Sequence, residues 1–409
     1  MKEPLLKVRS ENLQGLQKFI KMKQILLAGL ISDNNLGDKV IADCTEYLYK
    51  SETKNNSEIN YKWIDLVGLT VLQNKKPLII RKFNSALYHS KIKAGHIGIE
   101  NIVKKFENYF EPLIKNSDLI IVVGGGLIKY KYQYFWAQIS GLIKAASKQN
   151  IPVVLNAVGV EGYDENDLKC QCLKKSMNST TVKTITTRDD IKILKDLYLI
   201  NNSHCNPKLV ADSAVFAAET YQVNPFSSNK IGIGLIRGNI FTDNDLPFPK
   251  DKLINLYANL FNELDNQKID YRIFTNGLQA DLDLAEQILS KIGKPNEIKN
   301  ILVPKTPEEL VQIISKFKGV IAARLHACII SYSLKIPCVG LVWNDKLSLF
   351  GNITGYPNRF IEIRDFDAGY IISQLQKALD ESYDMESMYK YKLTIKESIK
   401  EILTTNNIL

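Results

Sequence analysis

Short apolar runs alternate with longer amphipathic segments along the first half of the chain. Runs of apolar residues between turn signals predict buried strands, and apolar residues at helical spacing predict the helices between them. The predicted strands are Gln24–Ala28, Tyr61–Leu66, Asp118–Val123, Pro152–Asn156, Thr184–Thr187 and Leu209–Ala211, and the clearest helices are Lys39–Lys50 and Ala137–Lys148. Strands that alternate with helices indicate βαβ units and a parallel sheet.

The same alternation starts again after residues 220–229, a segment with Pro225 and two serines that we interpret as a linker. The predicted strands are Lys230–Leu235, Asp270–Phe274, Gly319–Ala323 and Pro337–Val342, and the helices are Asp251–Asn266, Ala280–Lys291, Glu308–Phe317 and Leu325–Leu334. We therefore predict an α/β protein of two Rossmann-like domains, residues 24–219 and 230–365, whose parallel sheets face each other across a cleft. Residues 1–23 are predicted to form a helical extension and residues 366–409 one long polar helix.

Length and charge narrow the class of protein. A chain of 409 residues is longer than one hydrophobic core usually accommodates, so its length predicts two domains. A content of 45% hydrophobic and 24% charged residues is typical of a globular protein. Neither a membrane span nor a signal peptide is apparent, which predicts a cytoplasmic location. The net charge of +9 suits an anionic substrate or a membrane surface and does not indicate nucleic acid. For the basic residues 1–23, a helix packed on the domain and a membrane-surface helix both remain open.

The six cysteines and four histidines are scattered and have no zinc-ligand spacing, so we expect free thiols and no metal site.

Arg324 and His326 directly follow the predicted strand Gly319–Ala323. Open α/β sheets bind ligands at the carboxyl ends of their strands, and a fixed cation beside an imidazole suits an anionic substrate that needs a proton moved. Arg237 also ends a strand, and Lys346 follows another, although a solvated loop position fits Lys346 equally well. We expect the guanidinium groups of the second half to converge with the imidazole of His326.

Two features of the first half could face the same cleft. Asp38 follows Asn35 and Gly37 in the first loop, where it either caps a helix or faces the cleft to bind or deprotonate a sugar hydroxyl. Gly124, Gly125 and Gly126 follow a buried strand, where a ligand can approach their N–H groups or the chain can simply turn. The sequence favours a structural pair or cap for Arg188-Asp189 and for Asp212.

Together these motifs resemble the polysaccharide pyruvyl transferase family over about residues 24–363. In chain order the resemblance rests on Asn35-x-Gly37-Asp38, Gly124–Gly126, Arg188-Asp189, Arg237, Arg324-Leu325-His326, Pro337-x-x-Gly340 and Lys346. It implies a GT-B-like fold and a transferase that moves the enolpyruvyl part of phosphoenolpyruvate onto a sugar as a ketal. One departure is Asp212-Ser213-Ala214, where family members often carry Asp-Pro-Ala.

The resemblance also implies roles for the candidate residues. His326 would act as general acid or base, Arg324 and Arg237 would hold the anionic groups with Lys346, and Asp38 would activate the acceptor. Asn35 and the three glycines would contact substrate. The implied partners are phosphoenolpyruvate and a sugar of a bacterial surface polysaccharide or its precursor, free or lipid-linked, with no further cofactor. Two alternatives remain: a GT-B nucleotide-sugar glycosyltransferase and a non-catalytic glycan-binding protein.

Overall fold

The computed structural model describes residues 22–32, 35–54, 56–68, 96–128, 135–199, 205–226 and 228–409. The helix predicted for residues 1–23 lies outside this part of the chain, except for its last two positions, of which residue 23 begins a strand. Within the described residues no helix is long and apolar enough to cross a membrane.

The first domain is built on a six-stranded parallel sheet. Its strands are β1 Lys23–Gly29, β2 Ile59–Asp65, β3 Leu119–Ile128, β4 Val153–Val160, β5 Val182–Thr187 and β6 Lys208–Leu209, in the order β2-β1-β3-β4-β5-β6. The longer helices are α1 Leu36–Thr53, α2 His96–Phe110, α3 Trp136–Lys148 and α4 Leu168–Met177, and a short helical segment over residues 191–198 follows β5. All residues of β4 are buried, as expected for a strand with helices on both faces of its sheet.

The second domain repeats this architecture on a five-stranded parallel sheet. Its strands are β7 Ile231–Gly234, β8 Tyr271–Phe274, β9 Gly319–Ala322, β10 Cys338–Leu341 and β11 Phe360–Ile361, in the order β11-β10-β9-β7-β8. The helices are α5 Ala217–Tyr221, which precedes the sheet, α6 Lys250–Asn266, α7 Gln279–Lys291, α8 Pro307–Ile314, α9 Leu325–Ser333 and α10 Asp345–Thr354. The two predicted parallel-sheet domains are thus confirmed.

The C-terminal segment forms two helices, α11 Ala368–Glu381 and α12 Met385–Thr405, so the prediction of a single helix over residues 366–409 is wrong. The chain breaks at Ser382, which has a left-handed φ of 59°, and Asp384 caps the second helix by accepting from two backbone N–H groups. Helix α12 returns to the first domain, where Thr394 Oγ1 accepts from the Ala211 N–H at 2.9 Å. The end of the chain therefore ties the two domains together.

A single buried apolar cluster runs across the domain boundary. It includes Leu36 and Val40 of α1, Leu310 and Ile314 of α8, and Ile399 of α12. Because α1 begins just after β1 and α8 precedes β9, this packing brings the carboxyl end of the first sheet against the second domain. The buried apolar contacts between the domains therefore fix their relative position.

Candidate functional site

The imidazole of His326 lies between the two domains. His326 is in the first turn of α9 and is 8% exposed. Its Nε2 atom is 3.3 Å from Nη1 of Arg188 and 3.7 Å from Oδ2 of Asp212, both in the first domain. The Nε2 atom thus faces a guanidinium, which only donates, and a carboxylate, which only accepts, so the tautomer of the ring decides which of the two it bonds to. Residues of both domains thus meet at one titratable group.

Arg188 and Asp212 form a buried ion pair behind this imidazole. Burial alone would raise the pKa of Asp212, but Arg188, followed by His326, holds it well below its ordinary value. Burial likewise acts to lower the pKa of Arg188, and the nearby carboxylates of Asp212, Asp189 and Asp38 raise it instead. Both members of the pair are therefore ionised at neutral pH.

The segment that carries Asp212 is also fixed locally. Asp212 Oδ1 accepts from the Ala214 N–H at 2.8 Å and so caps the short 3₁₀ helix Ser213–Phe216. Ser213 replaces the proline that the resemblance leads one to expect, and its Oγ bonds to Thr45 Oγ1 of α1 at 2.9 Å. The departure from Asp-Pro-Ala is therefore accommodated by a buried hydrogen bond to α1.

Lys346 makes a second polar contact between the domains. It lies in the first turn of α10, nearly buried, with Nζ 2.9 Å from Glu161 Oε1 and 3.8 Å from Asp189 Oδ2. Burial raises the pKa of Asp189, and Lys346 and Arg188 offset this only in part. A solvated loop position for Lys346 is therefore wrong, since it lies at the cleft.

The loop before α1 brings Asp38 to the same region. Asn35 is the N-cap: its Oδ1 accepts from the Gly37 N–H at 3.2 Å, and its Nδ2 donates to Asp38 Oδ2 at 2.7 Å. A Cβ added at Gly125 would lie 3.6 Å from Asp38 Oδ1, so this carboxylate faces the glycine stretch. Asp38 therefore takes part in the cap and lines the cleft as well.

Gly37 lies directly against the catalytic candidate. A Cβ added at Gly37 would be 2.7 Å from Cγ of His326, much closer than ordinary contact. The first turn of α1 can pack on this imidazole only because position 37 has no side chain.

The three glycines extend β3 and do not form a turn after it. Gly125 pairs with Val158 of β4 and has a φ of 134°, which L-residues rarely adopt. A Cβ at Gly124 would come within 2.6 Å of the Ala157 carbonyl oxygen. The glycines are thus explained by close strand packing and an unusual backbone beside Asp38. Their contact with substrate stays a prediction.

Arg324 and Arg237 occupy the carboxyl end of the second sheet, after the neighbouring strands β9 and β7. Arg324 donates from Nε and Nη2 to the two carboxylate oxygens of Asp281, at 2.6 and 2.5 Å. Arg237 pairs with Asp243, and both side chains are substantially exposed, at 37% and 45%.

We expected Arg237 and Arg324 to converge on the imidazole, and this prediction is wrong: the guanidinium in contact with His326 is that of Arg188. Arg324 is the N-cap of α9, two residues before His326, so the two side chains project in different directions, and Asp281 turns Arg324 toward α7.

Sequence reasoning thus missed Arg188, Asp189 and Asp212 as residues of the cleft, and it did not single out Glu161 or Asp281. A usable signal existed for the first three: Arg188 and Asp189 directly follow β5, Asp212 comes shortly after β6, and strand ends on one edge of a parallel sheet lie together. In the part of the chain that the structure describes, no group of three or more His, Cys, Asp or Glu is arranged to hold a metal ion.

Comparison with known families and structures agrees with this architecture. A family model described as polysaccharide pyruvyl transferase matches residues 35–345. No curated protein matches the chain. Similar solved structures include the UDP-GlcNAc 2-epimerase from Methanocaldococcus jannaschii, with 13% identity, a TM-score of 0.55 and coverage of 94% of this chain and 100% of that one.

Two further structures show the same likeness. The putative UDP-N-acetylglucosamine 2-epimerase from Listeria monocytogenes has 11% identity and a TM-score of 0.55, covering 95% of this chain and 96% of that one. The UDP-GlcNAc 2-epimerase from Neisseria meningitidis bound to UDP-GlcNAc has 13% identity and a TM-score of 0.53, covering 94% and 100%. At these identities the likeness shows the fold alone, which is GT-B-like.

Proposed function

The chain belongs to the polysaccharide pyruvyl transferase family, and on that premise we propose that it transfers the enolpyruvyl group of phosphoenolpyruvate to a sugar. The product would be a pyruvate ketal on a bacterial surface polysaccharide or its precursor, with inorganic phosphate released. The observation that supports this best is the position of His326, an imidazole between two domains and beside an ionised Arg188–Asp212 pair. A proton-transfer group next to a fixed cation is what this chemistry needs.

The proposed reaction runs in two steps. In the first, a sugar hydroxyl oxygen bonds to C2 of phosphoenolpyruvate, while its proton passes through His326 to the methylene carbon, which becomes a methyl group. In the second, a neighbouring hydroxyl oxygen bonds to the same C2, the bond from C2 to the phosphate oxygen breaks, and the hydroxyl proton leaves with phosphate. Asp38 would orient the attacking hydroxyl, since its carboxylate faces Gly125 near the carboxyl end of the first sheet.

The cations of the cleft already have carboxylate partners, and the donor must compete with some of them. The exposed pair of Arg237 and Asp243 contributes at most about 1 kcal/mol, so Arg237 can turn to an anionic group at little cost. Arg324 keeps N–H groups beyond the two that Asp281 accepts. We assign the phosphate and carboxylate of the donor to these two arginines, with Lys346 released from Glu161 as the third cation.

Access to the imidazole requires domain movement. With 8% of its surface exposed, His326 cannot reach a substrate carbon in the closed arrangement. The polar contacts that must separate are those of His326 with Arg188 and of Lys346 with Glu161, and the apolar cluster that the two domains share must adjust with them. The cycle therefore includes opening of the cleft for the substrates to enter.

The test is incubation with phosphoenolpyruvate and a panel of free, lipid-linked and polymeric glycans, with product mass and phosphate release as readouts. The proposal expects a product heavier by one ketal-linked pyruvate, and no such product from His326→Ala. Stabilisation by a nucleotide sugar, with none by phosphoenolpyruvate, would contradict it and favour a glycosyltransferase. Glycan binding without turnover would instead favour a binding protein. We further place the reaction at the cytoplasmic face of the membrane, without metal or organic cofactor, so a chelator should leave the rate unchanged.

A further inference from the structure

Asp281 has no place in the proposed reaction, yet it makes the most complete contact with one of the site arginines. We propose that Asp281 is a positioning residue that fixes the guanidinium of Arg324 so that its remaining N–H groups present a preformed anion site to the cleft. This inference rests on the proposed function for the identity of the anion, a phosphate or carboxylate group of the donor.

The geometry of the pair is side-on and two-pronged. Nε and Nη2 of Arg324 donate to separate oxygens of the Asp281 carboxylate, at 2.6 and 2.5 Å. A guanidinium has five N–H groups in one plane, so both N–H groups of Nη1 and one of Nη2 lie on the edges that Asp281 does not cover. The carboxylate therefore fixes the plane of the guanidinium and leaves enough donors for a second two-pronged contact.

Burial distinguishes the two ends of this pair. The Asp281 side chain is fully buried, whereas that of Arg324 is 15% exposed. A buried carboxylate is unfavourable unless it is paired, so Asp281 is held to Arg324 and not to solvent. Because Arg324 is the N-cap of α9 at the carboxyl end of β9, its exposed part lies where parallel sheets bind ligands.

The contrast with Arg237 supports an ordering role. Its single contact with Asp243 joins two exposed side chains, and such pairs hold an orientation weakly. Arg324 in its pair loses little conformational freedom when an anion binds, because the protein has already ordered it. Arg324 is thus the fixed half of the anion site and Arg237 the adaptable half.

The experiment measures binding of inorganic phosphate by calorimetry, together with the KM values for phosphoenolpyruvate and for the acceptor. In Asp281→Asn we expect phosphate affinity to fall by at least about tenfold, since the guanidinium is no longer held in place. The KM for phosphoenolpyruvate should rise by a factor similar to the fall in phosphate affinity, while the KM for the acceptor stays unchanged. Arg324→Lys, which keeps the charge but cannot form the two-pronged pair, should behave similarly.

Controls separate a positioning role from a structural one. Asp265→Asn removes the carboxylate of a surface aspartate that pairs with Lys294 at 2.6 Å, and should leave all three constants unchanged. The double variant Asp281→Asn/Arg324→Gln should bind phosphate no more weakly than Arg324→Gln alone, because Asp281 acts only through Arg324. If Asp281→Asn unfolds, Asp281→Glu keeps the charge while displacing the guanidinium, and it should still weaken phosphate binding.

Normal phosphate affinity in Asp281→Glu or in Arg324→Gln would overturn the inference, as would a double variant weaker than Arg324→Gln alone. These results are independent of the donor's identity. A protein that binds phosphate through Arg324 but does not turn over phosphoenolpyruvate would refute the proposed function and leave the anion site intact.

Discussion

Replacing Gly37 with alanine should damage the proposed reaction far more than it damages the fold. The added Cβ would lie 2.7 Å from Cγ of His326, whereas carbon atoms in contact are normally about 3.5–4.0 Å apart. The imidazole or the first turn of α1 must therefore shift by about 1 Å. A displacement of about 1 Å at a reacting group can reduce the rate by about 100-fold. Overpacking of this kind costs about 1–3 kcal/mol, partly offset by the better helix propensity of alanine.

The matched control is Gly369→Ala. Gly369 has the same position in α11 that Gly37 has in α1, two residues after an N-cap, but its added Cβ would meet only Asp367 Oδ1, at 3.3 Å. Phosphate release from phosphoenolpyruvate with a saturating acceptor gives kcat, and thermal unfolding gives the stability. We expect a kcat loss of about 100-fold in Gly37→Ala and none in Gly369→Ala. Equal kcat values in the two variants would refute the claim that Gly37 positions His326.

Three further predictions concern the buried charges. Arg188→Gln leaves Asp212 buried without its partner and should destabilise the protein by about 3–5 kcal/mol in urea titrations, whereas Arg364→Gln, at an exposed position, should not. Folding depresses the pKa of Asp212, so its ionised carboxylate stabilises the folded protein. This stabilisation is complete above the pKa of Asp212 in the unfolded chain, near 4, and is lost as the pH falls through the lower pKa of the folded state. In Asp212→Asn, the free energy of unfolding should therefore depend less steeply on pH at acidic pH. An unchanged slope would contradict an ionised Arg188–Asp212 pair. Glu161→Gln weakens the interdomain contact with Lys346 and should change the KM for phosphoenolpyruvate more than it changes the melting temperature.

The fold was readable from the sequence because its strands are continuous apolar runs. Those of β1, β3, β4 and β9 stand out since both faces of each sheet are covered. Every predicted strand overlaps an observed one, although the strand predicted at Leu209–Ala211 shares only Leu209 with β6. The bounds were less accurate where glycine intervened: β3 continues through Gly124–Gly126, although glycine usually ends a run. The two-residue strand β11 was missed, as were the helices α2, α4, α5 and α10. Short or polar segments carry little periodic signal, but this reason does not apply to α2, whose buried Ile99, Val103, Phe106 and Phe110 have helical spacing.

The site was harder to predict because it is assembled across the domain boundary. His326, Asp38 and Lys346 were identified as candidates and lie at the cleft, but the partners of each could not be read from sequence spacing. Arg188 is 138 residues from His326 in sequence. An Arg-Asp neighbour pair is more often structural than functional, and only the contact of Arg188 with His326 in the folded protein shows that it faces the imidazole.

In the proposed transfer from phosphoenolpyruvate, we expect Arg188 of the first domain and His326 of the second to act as one group. The most direct measurement is kcat/KM for phosphate release in Arg188→Ala, His326→Ala and the double variant, each confirmed to be folded. We expect the double variant to be no slower than the slower single variant, because each change disables the same site. Losses that multiply, or single variants that retain the unchanged rate, would contradict it.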